Sequence, residues 1–275
     1  LSGHPLVQVQ KDMITTGRNY NVHALPAGGC KRLGVPPVLF TDGPRGVVML
    51  NSTCFPSAVA RASTFDPDVE YRVGKVIADE AIAQGANLFA GVCINVARNP
   101  RWGRTQESYG EDPYLLGEMG KALTVAVQEE GMIACVKHFA LNSMEDLRFY
   151  IDVHIDDRAL HEIYLPHFKK CVDAGAQCVM SAYNRYEEYH CGENKKLLTD
   201  ILRREWGFDG FVMSDFVWGT YNCEHSLRAG LDCEMMFTMK YTEGNIKKCL
   251  SKGLLNMEHI DRAAQNILKA LIRQE

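Results

Sequence analysis

The chain has 275 residues, 46% hydrophobic and 23% charged, which is the composition of an ordinary globular protein. Its formal net charge of -4, with acidic and basic residues mixed along the chain, argues against nucleic acid as a partner. The longest apolar runs are far shorter than a bilayer span, so we expect no membrane segment. The length suits one large domain, and no linker-like stretch divides it.

Ten cysteines are scattered along the chain without a Cys-x-x-Cys pair or a zinc-ligand spacing. Several lie in apolar runs, where a free thiol behaves as a small hydrophobic side chain. This usage favours a reducing compartment, and we expect a cytoplasmic protein.

Short apolar runs alternate with longer amphipathic stretches, which indicates an α/β fold. Near-continuous apolar runs of four to eight residues are typical of parallel strands covered on both faces. The predicted strands are 38–42, 88–97, 132–138, 178–184, 211–215 and 231–234.

The segments between these runs carry helix signals. Asp66-Pro67 and Asp112-Pro113 each place an N-cap acceptor before a proline suited to the first helical turn. Apolar residues recur at helical spacing after the second of these signals, and Pro166 should kink or shorten one of the later helices. The predicted helices with this spacing are 113–131, 157–174, 197–206 and 260–271.

Alternating strands and helices fit either a closed barrel or an open doubly wound sheet. A dinucleotide-binding sheet would carry Gly-x-Gly-x-x-Gly after its first strand, and the chain has none. A TIM-like (β/α)8 barrel is favoured because barrels collect reactive groups at the C-terminal ends of their strands. The predicted strands end in such groups: Asp42, Arg98, Lys137-His138, Tyr183-Asn184, Asp215 and Glu234.

Two of these strand ends carry groups with more than one plausible role. A carboxylate at Asp215 could attack an anomeric carbon, or could instead cap a helix or form a buried ion pair. Lys137-His138 offers donors for neighbouring sugar hydroxyls, but a lysine there could also pair with a structural acid. A third possibility is a Schiff-base lysine, as in barrel aldolases.

Two loops add further candidates. Asp42-Gly43-Pro44-Arg45-Gly46 could bind hydroxyl groups through Asp42 or could simply form a capped turn. Arg101-Trp102-Gly103-Arg104 offers guanidinium groups and an aromatic face, although loop arginines more often satisfy carbonyls and carboxylates nearby. Each candidate is weak alone, and their joint placement at strand ends is the stronger signal.

The ordered set of segments resembles the barrel domain of glycoside hydrolase family 3, of the β-glucosidase type. The matching segments are 42–46, 98–104 running into 107–113, 137–139, 180–184 and 207–215, so the likeness extends from about Leu33 to the end of the chain. Single pieces such as Lys137-His138-Phe139 are unspecific, whereas the ordered set is highly specific.

The resemblance implies a retaining hydrolase that removes terminal β-D-glucosyl residues from small β-glucosides or oligosaccharides, with no metal or organic cofactor. Asp215 corresponds to the family's nucleophile, and the cationic neighbours Arg148 and Lys137 should keep it ionised. The remaining positions implied to bind sugar are Asp42, Arg104, Lys137, His138, Arg148, Tyr183 and Phe216.

Two departures from the family pattern stand out. The residue after the nucleophile is often Trp in this family and is Phe216 here, with Trp218 two places on. The acid/base glutamate of β-glucosidase-type members lies on a second α/β domain that follows the barrel. Another branch of the family uses an Asp-His pair on a barrel loop, and Asp152 with His154 is a poor match for it.

We therefore expect residues 1–275 to be the barrel domain, with an incomplete first unit, of an enzyme whose second domain lies outside this chain. General acid catalysis contributes about 10²–10⁴-fold, so the chain alone should hydrolyse slowly and favour activated aryl glycosides. The alternatives are a sugar-binding barrel without turnover, a Schiff-base lyase using Lys137, and β-xylosidase specificity.

Overall fold

The computed structural model describes residues 2–4, 11, 14, 21–49 and 51–274. Its central feature is a six-stranded curved sheet with the order β10-β7-β5-β4-β3-β2. The strands of this sheet are β2 (Leu25–Ala27), β3 (Val38–Thr41), β4 (Leu88–Cys93), β5 (Ile133–Phe139), β7 (Cys178–Ser181) and β10 (Phe211–Met213). All neighbours from β3 to β10 are parallel, and only β2 runs antiparallel, against β3.

The sheet continues beyond β10 through a backbone hydrogen bond from Ser214 to the carbonyl of Cys233, at 2.9 Å. Cys233 immediately precedes β11 (Glu234–Phe237), which pairs in parallel with β1 (Ser2–His4). A separate small sheet contains β6 (Asp152–Val153), β8 (Arg185–Tyr186) and β9 (Tyr189–His190).

Helices connect the parallel strands. They are α1 (Ala58–Ala62), α2 (Pro67–Ala83), α3 (Pro113–Glu129), α4 (Asp157–Ala159), α5 (Pro166–Asp173), α6 (Cys223–Ala229), α7 (Glu243–Ser251) and α8 (Met257–Ile272), with π-helical segments Leu160–Tyr164 and Lys196–Glu205. The fold is the predicted TIM-like barrel. The connection from β2 to β3 has no α-helix, because only the three-residue turn Lys31–Leu33 lies between them.

The helix signals in the sequence were largely correct. The side chains of Asp66 and Asp112 accept hydrogen bonds from the second residue after each, at 2.9 and 2.8 Å, and a proline begins each helix. The helix predicted over 157–174 is interrupted before Pro166, where the chain passes from a π-helical turn into α5. A proline lacks the N–H that a continuous helix needs at that point.

Several strands are shorter than predicted. The strands expected over 88–97 and 178–184 end at Cys93 and Ser181, and the strand expected over 231–234 is instead Glu234–Phe237. In each case the apolar run continues into loop residues that are also buried. Hydrophobicity alone therefore could not mark where the backbone pairing stops.

The barrel interior and the outer layer take alternate residues of each strand. Val38 and Phe40, Ile133 and Cys135, and Phe211 and Met213 all belong to one buried cluster that fills the barrel interior. The residues between them, such as Ala134, Val136 and Val212, pack in the second cluster, beneath the helices. Asp42, Lys137 and Asp215 continue the inward series by one further step, so they lie above the interior core.

The loop that carries Asp42 is fixed to the barrel wall by a buried ion pair. Glu70 on α2 accepts from Arg61 Nε at 2.7 Å and from the Tyr109 hydroxyl at 2.6 Å. Arg61 also donates to the carbonyl of Pro44 at 3.1 Å, two residues after Asp42.

None of the helices within the described residues combines the length and apolar character that crossing a bilayer requires.

Candidate active site

Asp215 lies two residues after the end of β10, and its side chain is only 5% exposed. The backbone N–H of Phe216 donates to Asp215 Oδ1 at 2.7 Å. Oδ2 is buried and accepts no hydrogen bond from the described residues, and the nearest cationic or imidazole nitrogen is Nε2 of His138 at 3.8 Å. One oxygen of this carboxylate is thus held in place while the other is left without a donor.

Burial raises the pKa of Asp215 to about 6, against the opposing attraction of Arg104, the Phe216 N–H, Lys137 and Arg148. The sequence predicted that Lys137 and Arg148 would keep Asp215 ionised; both do lower its pKa, but the loss of hydration outweighs them, so the pKa still lies above its ordinary value. A pKa about one unit below neutral pH still leaves roughly nine tenths of the carboxyl groups ionised.

Lys137 and Asp42 form a partly buried ion pair across the top of the barrel, with Nζ and Oδ1 2.7 Å apart. Burial alone would lower the pKa of Lys137, but attraction to Asp42 leads the interactions that raise it above its ordinary value. The amine is therefore protonated at neutral pH, which argues against the Schiff-base alternative because that chemistry needs a free amine.

The Asp42 turn has little freedom to rearrange. The N–H of Gly43 donates to Asp42 Oδ1 at 2.8 Å, and Gly43 has a φ of 133°. A Cβ at Gly43 would lie 1.7 Å from the carbonyl oxygen of Gly46, so only glycine fits this turn. Asp42 thus caps the turn and holds Lys137 with the same oxygen, combining two roles that the sequence presented as alternatives.

His138 is hydrogen-bonded to Asn95, a buried residue that the sequence analysis did not single out. The amide of Asn95 accepts from the His138 backbone N–H at 2.8 Å and donates to the His138 carbonyl at 2.8 Å. The imidazole Nδ1 is 2.9 Å from Asn95 Oδ1. Burial, with repulsion from Arg104, Lys137 and Arg148, holds the pKa of His138 well below its usual value, so the ring is neutral.

Arg104 follows β4 and is mostly buried. Its Nε and Nη2 donate to the two carboxylate oxygens of Glu107, at 3.1 and 2.8 Å. It is the leading charge that opposes the raised pKa of Asp215. Arg104 therefore sits beside the nucleophile candidate, in a geometry fixed by its own acid partner.

Arg148 and Tyr183 contact each other at the site. The Arg148 guanidinium lies over the Tyr183 ring, 4.7 Å from its centre, and pairs with Glu145 at 2.7 Å. The Tyr183 hydroxyl donates to the carbonyl of Phe216 at 2.5 Å. Burial and the negative charge of Asp215 raise the pKa of Tyr183, so this hydroxyl keeps its proton.

Two predicted strand ends do not join this site. Arg98 is exposed and lies five residues beyond the end of β4. Glu234 begins β11 rather than ending a strand, and its carboxylate accepts backbone N–H groups from the next loop: Met239 at 3.0 Å, Lys240 at 2.7 Å and Tyr241 at 2.8 Å. Glu234 is a loop anchor, so its position along the chain misrepresented its role.

Phe216 and Trp218 have different surroundings. The Phe216 ring packs on Phe40, with ring centres 4.9 Å apart, at the top of the interior core. Trp218 is 56% exposed. It lines a cleft of about 410 Å³ whose other walls include Phe149, Tyr150, Val217, Tyr221 and Met239.

This aromatic cleft adjoins Asp215. Gly219 approaches Asp215 so closely that a Cβ there would lie 2.5 Å from the Asp215 carbonyl oxygen. Phe149 packs edge-on against Tyr183, with ring centres 4.7 Å apart. The cleft and the polar site therefore share a wall.

The Asp152–His154 pair has no place in this arrangement. His154 is 65% exposed, 3.4 Å from Asp152 and 3.5 Å from Glu187, on the small sheet. Within residues 21–49 and 51–274, as in the short described pieces before them, no group of three His, Cys, Asp or Glu side chains could hold a metal ion.

The model of the glycosyl hydrolase family 3 N-terminal domain matches residues 15–270. The chain belongs to glycosyl hydrolase family 3. A curated relative, thermostable β-glucosidase B of Acetivibrio thermocellus, is 38% identical over 256 residues, which is 88% of this chain and 34% of the relative. An exo-α-(1->6)-L-arabinopyranosidase of Bifidobacterium longum is 38% identical over 256 residues, 87% of this chain and 33% of the relative.

Solved structures of this family agree with the fold. β-Glucosidase 3B of Thermotoga neapolitana, in complex with glucose, aligns with a TM-score of 0.87 at 36% identity and covers 92% of this chain and 38% of that one. The resemblance drawn from the ordered motifs is confirmed. The family 3 chain spans about a third of the length of the curated relatives it matches.

A stability measurement tests the burial of Asp215. Because its pKa is raised from 3.8 to about 6, Asp215 stabilises the fold as a neutral acid, and that contribution is lost as the pH rises through about 6. Asp215→Asn should therefore raise the free energy of unfolding at about pH 8 by about 2–3 kcal/mol, and change it little at about pH 4. Urea denaturation of both proteins at the two pH values measures this, and a gain independent of pH would contradict it.

Proposed function

We propose that this domain catalyses retaining hydrolysis of β-glucosides, with Asp215 as the nucleophile. The observation that carries the proposal is the half-satisfied carboxylate: Oδ1 is fixed by the Phe216 N–H and the buried Oδ2 lacks a donor. A structural carboxylate would normally have both oxygens satisfied when buried. An oxygen left without a donor, in a buried site beside three cations, is suited to attack an electrophilic carbon.

In the first step, Asp215 Oδ2 attacks the anomeric carbon and forms a glycosyl ester while the bond from that carbon to the leaving oxygen breaks. A general acid protonates the departing oxygen. Water then attacks the same carbon, loses its proton to the conjugate base, and releases the Asp215 carboxylate. Two inversions at one carbon give net retention. A carboxyl with a pKa of about 6 is a good leaving group in the second step.

The surrounding groups suit a sugar ring with several hydroxyls. Asp42 and Lys137 present an acceptor and a donor 2.7 Å apart, and Arg104 with its partner Glu107 presents another such pair. We assign Asp42, Arg104, Lys137, His138, Arg148 and Tyr183 to binding and orienting the sugar beside Asp215. Phe216, packed on Phe40, would close the base of the pocket.

Glucose is the sugar that the relatives favour. β-Glucosidase B from Acetivibrio thermocellus and the glucose complex of the Thermotoga neapolitana enzyme support a glucosyl subsite, whereas the Bifidobacterium longum relative is named for an arabinopyranosyl substrate. A xylosyl preference is the alternative within hydrolysis. A sugar-binding protein without turnover is less well supported, because binding alone gives no reason to keep a destabilising buried carboxylate.

The general acid is proposed to come from outside the barrel, on a second α/β domain. Asp42 is paired with Lys137 and Glu107 with Arg104, so neither of these described carboxylates is available to a leaving group. Family 3 relatives are about three times as long as the matched segment, which leaves room for such a domain in them. Cleavage by the barrel then depends on leaving groups that need no protonation.

The aromatic cleft beside Asp215 is proposed to receive the leaving group. Trp218, Tyr150 and Tyr221 offer flat apolar faces and a hydroxyl, and aromatic leaving groups stack on such faces. The cleft is thus where Trp218 replaces the aromatic wall that family members often build from the residue directly after the nucleophile.

A nucleophile-rescue experiment tests the role of Asp215. Asp215→Ala should lower kcat on a dinitrophenyl β-glucoside by about 10⁴-fold or more, because the covalent route is lost. Added azide should enter the vacated space, restore part of the rate and give the α-glucosyl azide. The product is identified by NMR.

The matched control is Asp209→Ala, which removes an exposed aspartate paired with Arg273 and should leave the rate unchanged. A β-configured azide would assign Asp215 to acid/base catalysis instead. Full activity of Asp215→Ala would remove it from the mechanism altogether.

The leaving-group proposal is tested by Trp218→Ala. Loss of one stacking face should raise KM for an aryl glucoside roughly 3–10-fold and leave KM for methyl β-glucoside unchanged. Tyr114→Ala removes another exposed aromatic, on α3, and serves as control. Equal effects on both substrates, measured by initial rates, would show that Trp218 supports the site without contacting the leaving group.

A further inference from the structure

The amide of Asn95 can have only one orientation. Its Oδ1 accepts from the backbone N–H of His138 and its Nδ2 donates to the His138 carbonyl, both at 2.8 Å. Rotating the amide by half a turn would place its NH2 group against the His138 N–H and its oxygen against the His138 carbonyl, and neither pair can form a hydrogen bond. The two backbone groups of His138 therefore fix which end of Asn95 is oxygen.

That orientation fixes the tautomer of the His138 side chain. Nδ1 lies 2.9 Å from the same Asn95 Oδ1, which can only accept, so Nδ1 must carry the proton. The ring is neutral, so Nε2 holds a lone pair. Among the described residues, the Cys93 sulfur also lies near Nδ1, at 4.0 Å, and burial raises the pKa of that thiol to about 12, so it is no base at neutral pH.

Nε2 faces Oδ2 of Asp215 at 3.8 Å. Both atoms are acceptors when the imidazole is neutral and the carboxylate is ionised, so neither satisfies the other. Burial and the cations Arg104, Lys137 and Arg148 disfavour a second proton on the ring, and they outweigh the opposing negative charge of Asp215. A hydroxyl group of a bound sugar, placed at Nε2, is the kind of donor that this acceptor can use.

We infer that Asn95 is a positioning residue that locks His138 as the Nδ1–H tautomer, so that Nε2 is an obligate hydrogen-bond acceptor for one sugar hydroxyl. This rests on the proposed function, because it concerns the same sugar pocket. Its consequence is a selectivity rule. The hydroxyl at this point must donate, so replacing it with fluorine, which only accepts, removes the contact and leaves two acceptors facing a third.

Nitrogen NMR of the chain carrying isotope-labelled histidine tests the lock without any activity. The His138 signal is assigned by its loss in His138→Gln. We expect only Nδ1 to be protonated between about pH 5 and 8, and Asn95→Ala to give a mixture of tautomers or the Nε2–H form. Asn99→Ala, the same change at an exposed loop position, should leave the spectrum unchanged. An Nε2–H ring in the unaltered chain would overturn the inference.

Asn95→Asp separates positioning from simple support. Its carboxylate still accepts from the backbone N–H and from Nδ1–H of His138, but it adds a negative charge. The pKa of His138 should therefore rise, and the ring should gain a second proton as the pH falls. NMR should show that protonation at a higher pH than in the unaltered chain. An unchanged titration would overturn the inference, and this variant replaces Asn95→Ala if the alanine does not fold.

Kinetics with singly deoxyfluorinated aryl glucosides test the selectivity rule. One position should lose roughly 10–100-fold in kcat/KM on replacement of hydroxyl by fluorine, beyond the effect at the other positions, and Asn95→Ala should shrink that excess several-fold. If the excess survives in Asn95→Ala, the inference fails while the proposed hydrolase stands. If no glucoside is cleaved at all, the proposed function fails, and the NMR result still decides the tautomer.

Discussion

The site depends on the balance between the lost hydration of one carboxylate and the cations gathered around it. Asp215 is almost fully buried, and desolvation wins over Arg104, Lys137 and Arg148, so its pKa rises to about 6. Without the cations, the pKa of the carboxyl would lie higher still and less of it would be ionised and able to attack. Without burial, it would be hydrated and a weaker nucleophile. The barrel top supplies both conditions at once.

The architecture explains how distant segments create that balance. Parallel strands bring the ends of β3, β5 and β10 to one edge, and strand alternation turns every second residue inward. Asp42, Lys137 and Asp215 each follow an inward apolar pair, so the core beneath them sets their height. Two ion pairs then fix the loops: Lys137 with Asp42, which is partly buried, and Arg61 with Glu70, which is buried. Arg61 also donates to the turn that carries Asp42.

Much of this was visible in the sequence, and the failures have physical causes. The α/β order, the barrel and the meeting of Asp42, Lys137, His138 and Asp215 follow from apolar periodicity and strand endings. The direction of the Asp215 pKa shift could not be predicted in that way, because a sequence shows candidate cations but not the depth of burial. Glu234 misled because a carboxylate at a strand boundary can equally serve the backbone of the next loop.

Other features lay beyond pattern reasoning. Asn95 lies inside an apolar run, and a single amide in such a run was the one sequence feature that could have pointed to a role for it. Its partner, however, is the backbone of the neighbouring strand, which no spacing rule identifies. The opposite placements of Phe216 and Trp218 likewise depend on how the loop folds back through Gly219 onto Asp215.

The most direct test of the account is covalent trapping. A fluorinated glucoside with a strong leaving group should glycosylate the nucleophile, and the resulting ester should hydrolyse slowly, because fluorine destabilises the positively charged transition state of the second step. Peptide mass spectrometry should find one added fluoroglucosyl group, located on Asp215. A label on Asp42 or Glu107, or turnover with no trapped ester, would contradict the central claim.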